Sequence, residues 1–116
     1  MTDYDVDVRG EPPVAVLVLT GRIDSEAMTP LNHAYEQAVA DDTQVVLLDF
    51  HAVDYINSTG IALIVGVLGR ARAEGRRVFA SGLTDHYTHI FSITRLSDFI
   101  PIYSDVDSAV AGAAAG

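Results

Sequence analysis

The chain contains no cysteine and no lysine, and only seven of its 116 residues are basic, all of them arginine. Without cysteine there is neither a disulfide framework nor a thiolate metal site. Seven basic against sixteen acidic residues leave a formal net charge of −9. A field of that sign repels a phosphate backbone or an anionic bilayer, so neither nucleic acid nor a membrane surface is expected as partner. The restriction to arginine carries no mechanism of its own. The most apolar run, Ile61 to Leu68, is far too short to span a bilayer, so no membrane insertion is expected. The start, Met1-Thr-Asp-Tyr-Asp, lacks a basic segment followed by an apolar one, so no secretory signal is expected. No Walker or G-x-G-x-x-G pattern supports a dedicated nucleotide site. These absences make a cytoplasmic protein the default reading, with no cofactor.

What is present describes a globular domain. Hydrophobic residues make up 49% and charged residues 20%, which is ordinary for a folded chain and wrong for a disordered one. Residues 1–116 suffice for one domain with its own core. Tyr4 to Val8 alternates weakly, as an edge strand does, and Gly10-Glu-Pro-Pro13 reads as a turn. Val14 to Leu19 and Val45 to Phe50 are apolar, β-rich runs and read as buried strands. Arg77 to Ser81 is a third internal strand, and Pro101-Ile-Tyr103 a short edge strand.

Helices alternate with these strands. Leu31, Ala34, Tyr35, Ala38 and Val39 recur at helical spacing after a cap at Asp24 or Ser25, and Asp41-Asp42 ends that helix. A second helix is expected from Ser58 to about Ala73, with Gly75 as its stop. A third follows Thr84 or Asp85, with Ile90, Phe91, Ile93 and Leu96 as apolar positions, and Asp105 opens an alanine-rich fourth. The pattern predicts an α/β fold: a mixed, mostly parallel five-stranded sheet with an antiparallel first hairpin and about four helices. In such sheets functional loops gather at the carboxyl ends of the strands. Two loops are expected there, Gly21–Ser25 and His51–Asn57.

The segment Asp54-Tyr55-Ile56-Asn57-Ser58-Thr59-Gly60-Ile61 carries the most information. It is a strand exit followed by a helix start, where Asn57 or Ser58 can accept from the free N–H groups of the first turn. Gly60 removes bulk beside Ser58, which suggests close approach by another molecule, or else packing against a neighbour. In the helix, Ile61, Val65 and Leu68 form one apolar stripe, with Leu63 and Val67 on roughly the opposite side. One stripe covers the sheet; the other meets a second helix or a partner.

Ser58 is a poor candidate for a catalytic nucleophile. The nearest histidine in sequence is His51, and the context is not a G-x-S-x-G elbow. His86 and His89 lie three apart beside Asp85, but a third metal ligand is missing from the pattern. No enzyme and no metal site is expected.

Taken together, the Asn57–Ile61 stretch resembles the Asp-Ser-Ser/Thr-Gly-Leu signature of STAS domains of the anti-sigma-factor-antagonist type. Gly21-Arg-Ile-Asp24 is similar to that family's Gly-Glu-Leu-Asp turn, and Arg95-Leu-Ser-Asp-Phe-Ile-Pro-Ile-Tyr103 fits its later part. The resemblance implies a STAS fold and a partner-switching phosphoprotein of transcription regulation and stress response. It further implies that Ser58, with Thr59 as alternative, is phosphorylated by a GHKL-type serine-kinase anti-sigma factor, which the unphosphorylated domain sequesters to free a sigma factor. A PP2C-type phosphatase would reset it. Gly21, Asp24, Asp54, Tyr55, Asn57, Ser58, Thr59, Gly60 and Ile61 are the expected partner contacts. Asn57 stands where the family has aspartate, so the cap is kept and the charge is not. The same family implies an alternative, a non-switching scaffold subunit of a stress-sensing complex or of a lipid-transport system. A homodimer is left open.

Overall fold

The two most apolar runs of the chain form the centre of the sheet. In the computed structural model, which describes residues 4–9 and 13–115, β2 (Val14–Ile23) and β3 (Val45–Ile56) are parallel neighbours. β1 (Tyr4–Arg9) joins β2 antiparallel, and β4 (Arg77–Ser81) and β5 (Ile102–Tyr103) extend the parallel block beyond β3. The strand order is β1-β2-β3-β4-β5. Of the expected Gly10–Pro13 turn, residues 10–12 lie outside the described residues.

Side chains alternate across a strand, so each run supplies two cores. Leu17, Leu19, Val46, Leu48, Phe50, Val78 and Ala80 face α1 (Met28–Ala38), α2 (Ser58–Ala73) and α3 (Asp85–Ile93). The intervening residues Val14, Val16, Val45, Leu47 and Phe79 face α4 (Val106–Ala115) through Ala109, Val106 and Ala113. Sequential strand order with one hand of crossover puts the three connecting helices on the same face. The terminal helix, free of that constraint, covers the other.

Helix ends follow local chemistry. Asp24 accepts from Glu26 N–H at 3.0 Å and caps a 3₁₀ turn, Ser25–Ala27, that leads into α1. At the end of α2, Gly75 adopts φ +77°, its N–H bonds Arg72 C=O at 3.1 Å, and Arg76 N–H bonds Ala71 C=O at 2.8 Å. This is the double bond of a Schellman stop. Asp105 Oδ1 accepts from Ser108 N–H at 2.7 Å at the start of α4, and that bond holds the Asp105 carboxyl below its ordinary range.

Three expectations are corrected. The loop expected over His51–Asn57 is strand up to Ile56, and β2 likewise runs through Gly21 to Ile23. The parallel ladder breaks register between Val18 and Thr20 and between Gly21 and Arg22, then resumes with Arg22 opposite Tyr55 and Ile23 opposite Ile56. Gly21 supplies the positive φ, +81°, at that irregularity. Only one face of this extension is covered, by Val53 and Ile56, while His51, Asp54 and Tyr55 are exposed; its polar content reads as loop. Second, α3 stops at Ile93. Thr94 Oγ1 donates to Ile90 C=O, Arg95 turns left-handed, and Leu96 reaches the core from a separate 3₁₀ turn, Leu96–Asp98. Ile93 is therefore exposed. Third, the buried stripe of α2 is Gly60, Ile64, Val67, Leu68 and Ala71, with Ile61 and Leu63 at its margins and Val65 exposed.

A polar clasp ties α1 to the end of α2. The buried Tyr35 hydroxyl donates to Glu74 Oε1 at 2.7 Å, and Arg70 lies 4.6 Å over the Tyr35 ring. Arg76 pairs with Glu74 and donates to Thr43 C=O and Ala40 C=O at 3.0 and 2.8 Å. Burial, then the bond to Glu74, raises the Tyr35 pKa, and the Tyr35 hydroxyl lowers that of Glu74. The Tyr35 contribution is thus complete below the ordinary tyrosine value, about 10, and fades as pH climbs through the raised one. The Glu74 contribution is present above the ordinary carboxylate range and fades as pH falls through the lowered value. Tyr35→Phe should cost about 1 kcal/mol at neutral pH and flatten the alkaline loss of stability. Urea unfolding of both proteins at pH 7 and at about pH 10.5 checks this.

Candidate functional site

The carboxyl ends of β2 and β3 meet the start of α2 in a tight junction. Asn57 is the N-cap: its Oδ1 accepts from Gly60 N–H at 2.8 Å, and its C=O accepts from Ile61 N–H at 2.9 Å. Asn57 N–H in turn donates to Ile23 C=O at 3.3 Å, tying the cap to β2. Gly60 is buried against the same peptide. A Cβ there would collide with the Ile23 carbonyl oxygen, lie 2.8 Å from its carbon, and stand 3.0 Å from Ile56 Cγ2. The idea that Gly60 clears space for an incoming molecule is thereby corrected. It clears space for β2, and its small size lets the helix start at the strand ends.

Because Asn57 does the capping, Ser58 is the first helical residue and its hydroxyl is not used. Ser58 and Thr59 are both exposed, and among the described residues neither hydroxyl has a hydrogen-bond partner. Around them lie the other residues singled out in the sequence. Asp54 and Tyr55 are exposed on β3 and Gly21 is half-buried on β2. Asp24 sits at 3.6 Å from Arg22, whose guanidinium is 5.6 Å over the Tyr55 ring. Ile61 is half-buried at the edge. The structure therefore gathers these residues at one end of the sheet, with Gly60 beneath the surface.

Two contributors escaped the sequence reading. Arg22 joins Asp24 to Tyr55. Tyr87, from α3, accepts from Ile56 N–H at 2.9 Å and steadies the last residue of β3. With Ile90, His86 and Thr94 it forms the far wall of an apolar cleft of about 310 Å³ beside Ser58 and Ile61. The Tyr87–Ile90 spacing shows only that α3 has an apolar face; which element it meets is a tertiary matter. His86 and His89 do not form part of any cluster of three or more metal-ligating side chains among the described residues.

The STAS domain family profile matches residues 5–109. This chain belongs to the STAS domain family. It is 30% identical over 86 residues to the anti-sigma-B factor antagonist of Listeria monocytogenes, covering 74% of this chain and 75% of that one. An anti-sigma factor antagonist from Mycobacterium paratuberculosis superposes with a TM-score of 0.73 at 24% identity, over 94% of this chain and 92% of the other. The unphosphorylated form of the Bacillus anti-sigma factor antagonist SpoIIAA superposes with a TM-score of 0.77 at 14% identity, over 96% and 97%. The last two likenesses speak for the α/β STAS fold with its four helices. No helix among the described residues is long and apolar enough to cross a membrane.

The junction predicts an ordering of variants. Gly60→Ala should destabilise by about 1–3 kcal/mol through forced overlap, and Asn57→Ala by about 1 kcal/mol through loss of the cap. Asn57→Asp should be near neutral, since both residues cap. Thermal or urea unfolding of the three variants tests that order.

Proposed function

We propose that this STAS domain is an anti-sigma factor antagonist, a binding module that occupies a GHKL-type serine-kinase anti-sigma factor and is released by a phosphate on Ser58. The supporting observation is the free, exposed Ser58 hydroxyl at the first position of α2, with capping left to Asn57. Its likeness to proteins named anti-sigma-B factor antagonist supports the same reading. The kinase would transfer the γ-phosphoryl group of ATP to Ser58 Oγ, leaving ADP, and a PP2C-type phosphatase would hydrolyse the ester.

Magnitudes favour a switch in binding over a switch in fold. Phosphorylation adds about −1.5 to −2 charges. At a helix N-terminus this is favourable by about 0.3–1 kcal/mol, so the domain stays folded. Inside an interface the same dianion must shed water, and an unpaired buried charge costs several kcal/mol. Since about 1.4 kcal/mol is tenfold in affinity, the interface effect dominates.

The outer face of α2 suits such an interface. Ser58, Ala62, Val65 and Gly69 follow one another at helical spacing and are exposed, with Gly66 alongside. A Cβ at Gly66 or Gly69 would meet nothing within 4 Å. A helix-interior glycine costs about 1 kcal/mol relative to alanine, and nothing in this chain uses the space it leaves. A partner backbone lying close to α2 accounts for both.

The alternative, a non-switching scaffold subunit, draws on Asn57, which lacks the aspartate charge of the signature. Size-exclusion of the native complex separates the two, because a scaffold subunit runs in a very large or membrane-associated fraction.

Incubation with the cognate kinase, ATP and magnesium, followed by mass spectrometry, should place one phosphate on Ser58. A protein left unmodified at both Ser58 and Thr59 rules out the switch. Ser58→Ala should bind the kinase whether or not ATP is supplied, and Ser58→Asp should bind at least about tenfold more weakly. Gly66→Ala should stabilise the domain by about 0.5–1 kcal/mol, whereas Gly66→Arg should leave it folded and weaken kinase binding by about tenfold or more. Calorimetry of folding and of binding reads the two effects separately.

A further inference from the structure

We propose that a second site, at the opposite end of α2 from Ser58, binds a small phosphate monoester with a flat apolar body. Arg72 lies fourteen residues along the helix from Ser58, about 21 Å at the α-helical rise, and one turn beyond Gly69, so this site is separate from the phosphorylated position and begins where the outer stripe of α2 ends. It is a cleft of about 470 Å³ between the end of α2, the start of β4, Phe99 and α4, within the usual size range of small-molecule sites.

Four of its features point to that ligand class. First, charge: Arg72 and Arg77 line the cleft and have no ion-pair partner among the described residues. The other charged groups there are already matched, Arg76 with Glu74 and two carbonyl oxygens, and Asp98 with Arg95 at 2.7 Å. Two uncompensated guanidinium groups in a chain of net charge −9 match a dianion better than a single carboxylate. Second, orientation: the Arg72 guanidinium lies 5.2 Å over the Phe99 ring and that of Arg77 5.1 Å over Phe79. A cation over an aromatic ring is held in place without using up its N–H donors, and a guanidinium with its donors unspent can grip a phosphate through paired bonds.

Third, the walls are aromatic. Phe99 is 52% exposed, and Tyr103 packs on Phe79 with ring centroids 5.4 Å apart. Fourth, the Tyr103 hydroxyl has no hydrogen-bond partner among the described residues, and it packs on Gly112 of α4, where a Cβ would collide with the hydroxyl oxygen and the ring carbons beside it. The site thus holds apolar surface, an unbonded tyrosine and two unpaired cations lining one cleft.

The probe is phenyl phosphate, titrated into the full chain and followed by amide and arginine Nε–H resonances. Saturable shifts should centre on Arg72, Arg77, Phe99 and Tyr103, with a dissociation constant below about 1 mM. Benzoate, with one charge, and inorganic phosphate, with no apolar body, should each bind about tenfold more weakly. Arg72→Gln and Arg77→Gln, at exposed positions, should each cost at least about tenfold, and Arg→Lys at either should recover only part of the loss. The proposal is overturned by shifts that do not saturate, by shifts centred on the Ser58 end, or by equal affinity for inorganic phosphate. Should a glutamine variant misfold, the shift map and the ligand comparison in the native chain still decide. Kinase binding plays no part in these readouts, so failure here and failure of the Ser58 switch are distinguishable.

Discussion

One carbonyl group organises the upper end of this molecule. The Ile23 C=O, at the last residue of β2, takes the Asn57 N–H and bears directly on the Gly60 backbone. That contact permits a helix to begin where two parallel strands finish, and only a residue without Cβ tolerates it. Asn57 is then held in extended geometry as the cap, and Ser58 is left as the first helical residue with nothing in its own chain to bond. The exposure of the hydroxyl follows from the burial of its neighbour two positions on.

The same junction sorts the faces of α2. With Gly60 against β2, the helical period sends Ile64, Val67, Leu68 and Ala71 into the core, and Ser58, Ala62, Val65 and Gly69 outward. The helix is apolar on much of its circumference, yet only one side is covered by this chain. A smooth outward side made of small residues contributes little to the domain's own stability and lets another backbone approach. In the proposed reading, stability and recognition fall on different sides of one element.

The surface beside Ser58 rests on strands, which matters for the binding role proposed for it. Arg22, Asp54 and Tyr55 project from the paired ends of β2 and β3, and Tyr87 closes the hydrogen bonding of Ile56 from α3. Side chains carried on a hydrogen-bonded ladder lose less freedom on association than the same side chains on a loop, and more of the contact energy survives as affinity.

Much of this was legible in the residues themselves. Uninterrupted runs such as Val14–Leu19 mark buried strands because both sheet faces are covered, and Asn57, Gly75 and Asp105 mark helix ends because capping is local chemistry. The cluster of Gly21, Asp24, Asp54, Tyr55 and Ser58 followed from strand order and a resemblance of motifs. Other features depended on contacts between segments distant in sequence. The strand extensions at Arg22 and Tyr55 exist because each pairs with the other, and their alternate polar residues look like loop when either is read alone. Whether Val65 or Ile64 faces the core depends on the rotation of α2, which the Ile23–Gly60 contact sets and hydrophobic spacing leaves open. The contact of Arg72 with Phe99 joins residues far apart along the chain, and it brings that arginine into the same cleft as the strand pair Arg77 and Phe79 only when the sheet and its helices close. The sequence by itself determined where elements begin and what they bury, through short-range capping and periodicity; the tertiary structure decided which groups were left unused, because freedom from partners is a property of the whole assembly.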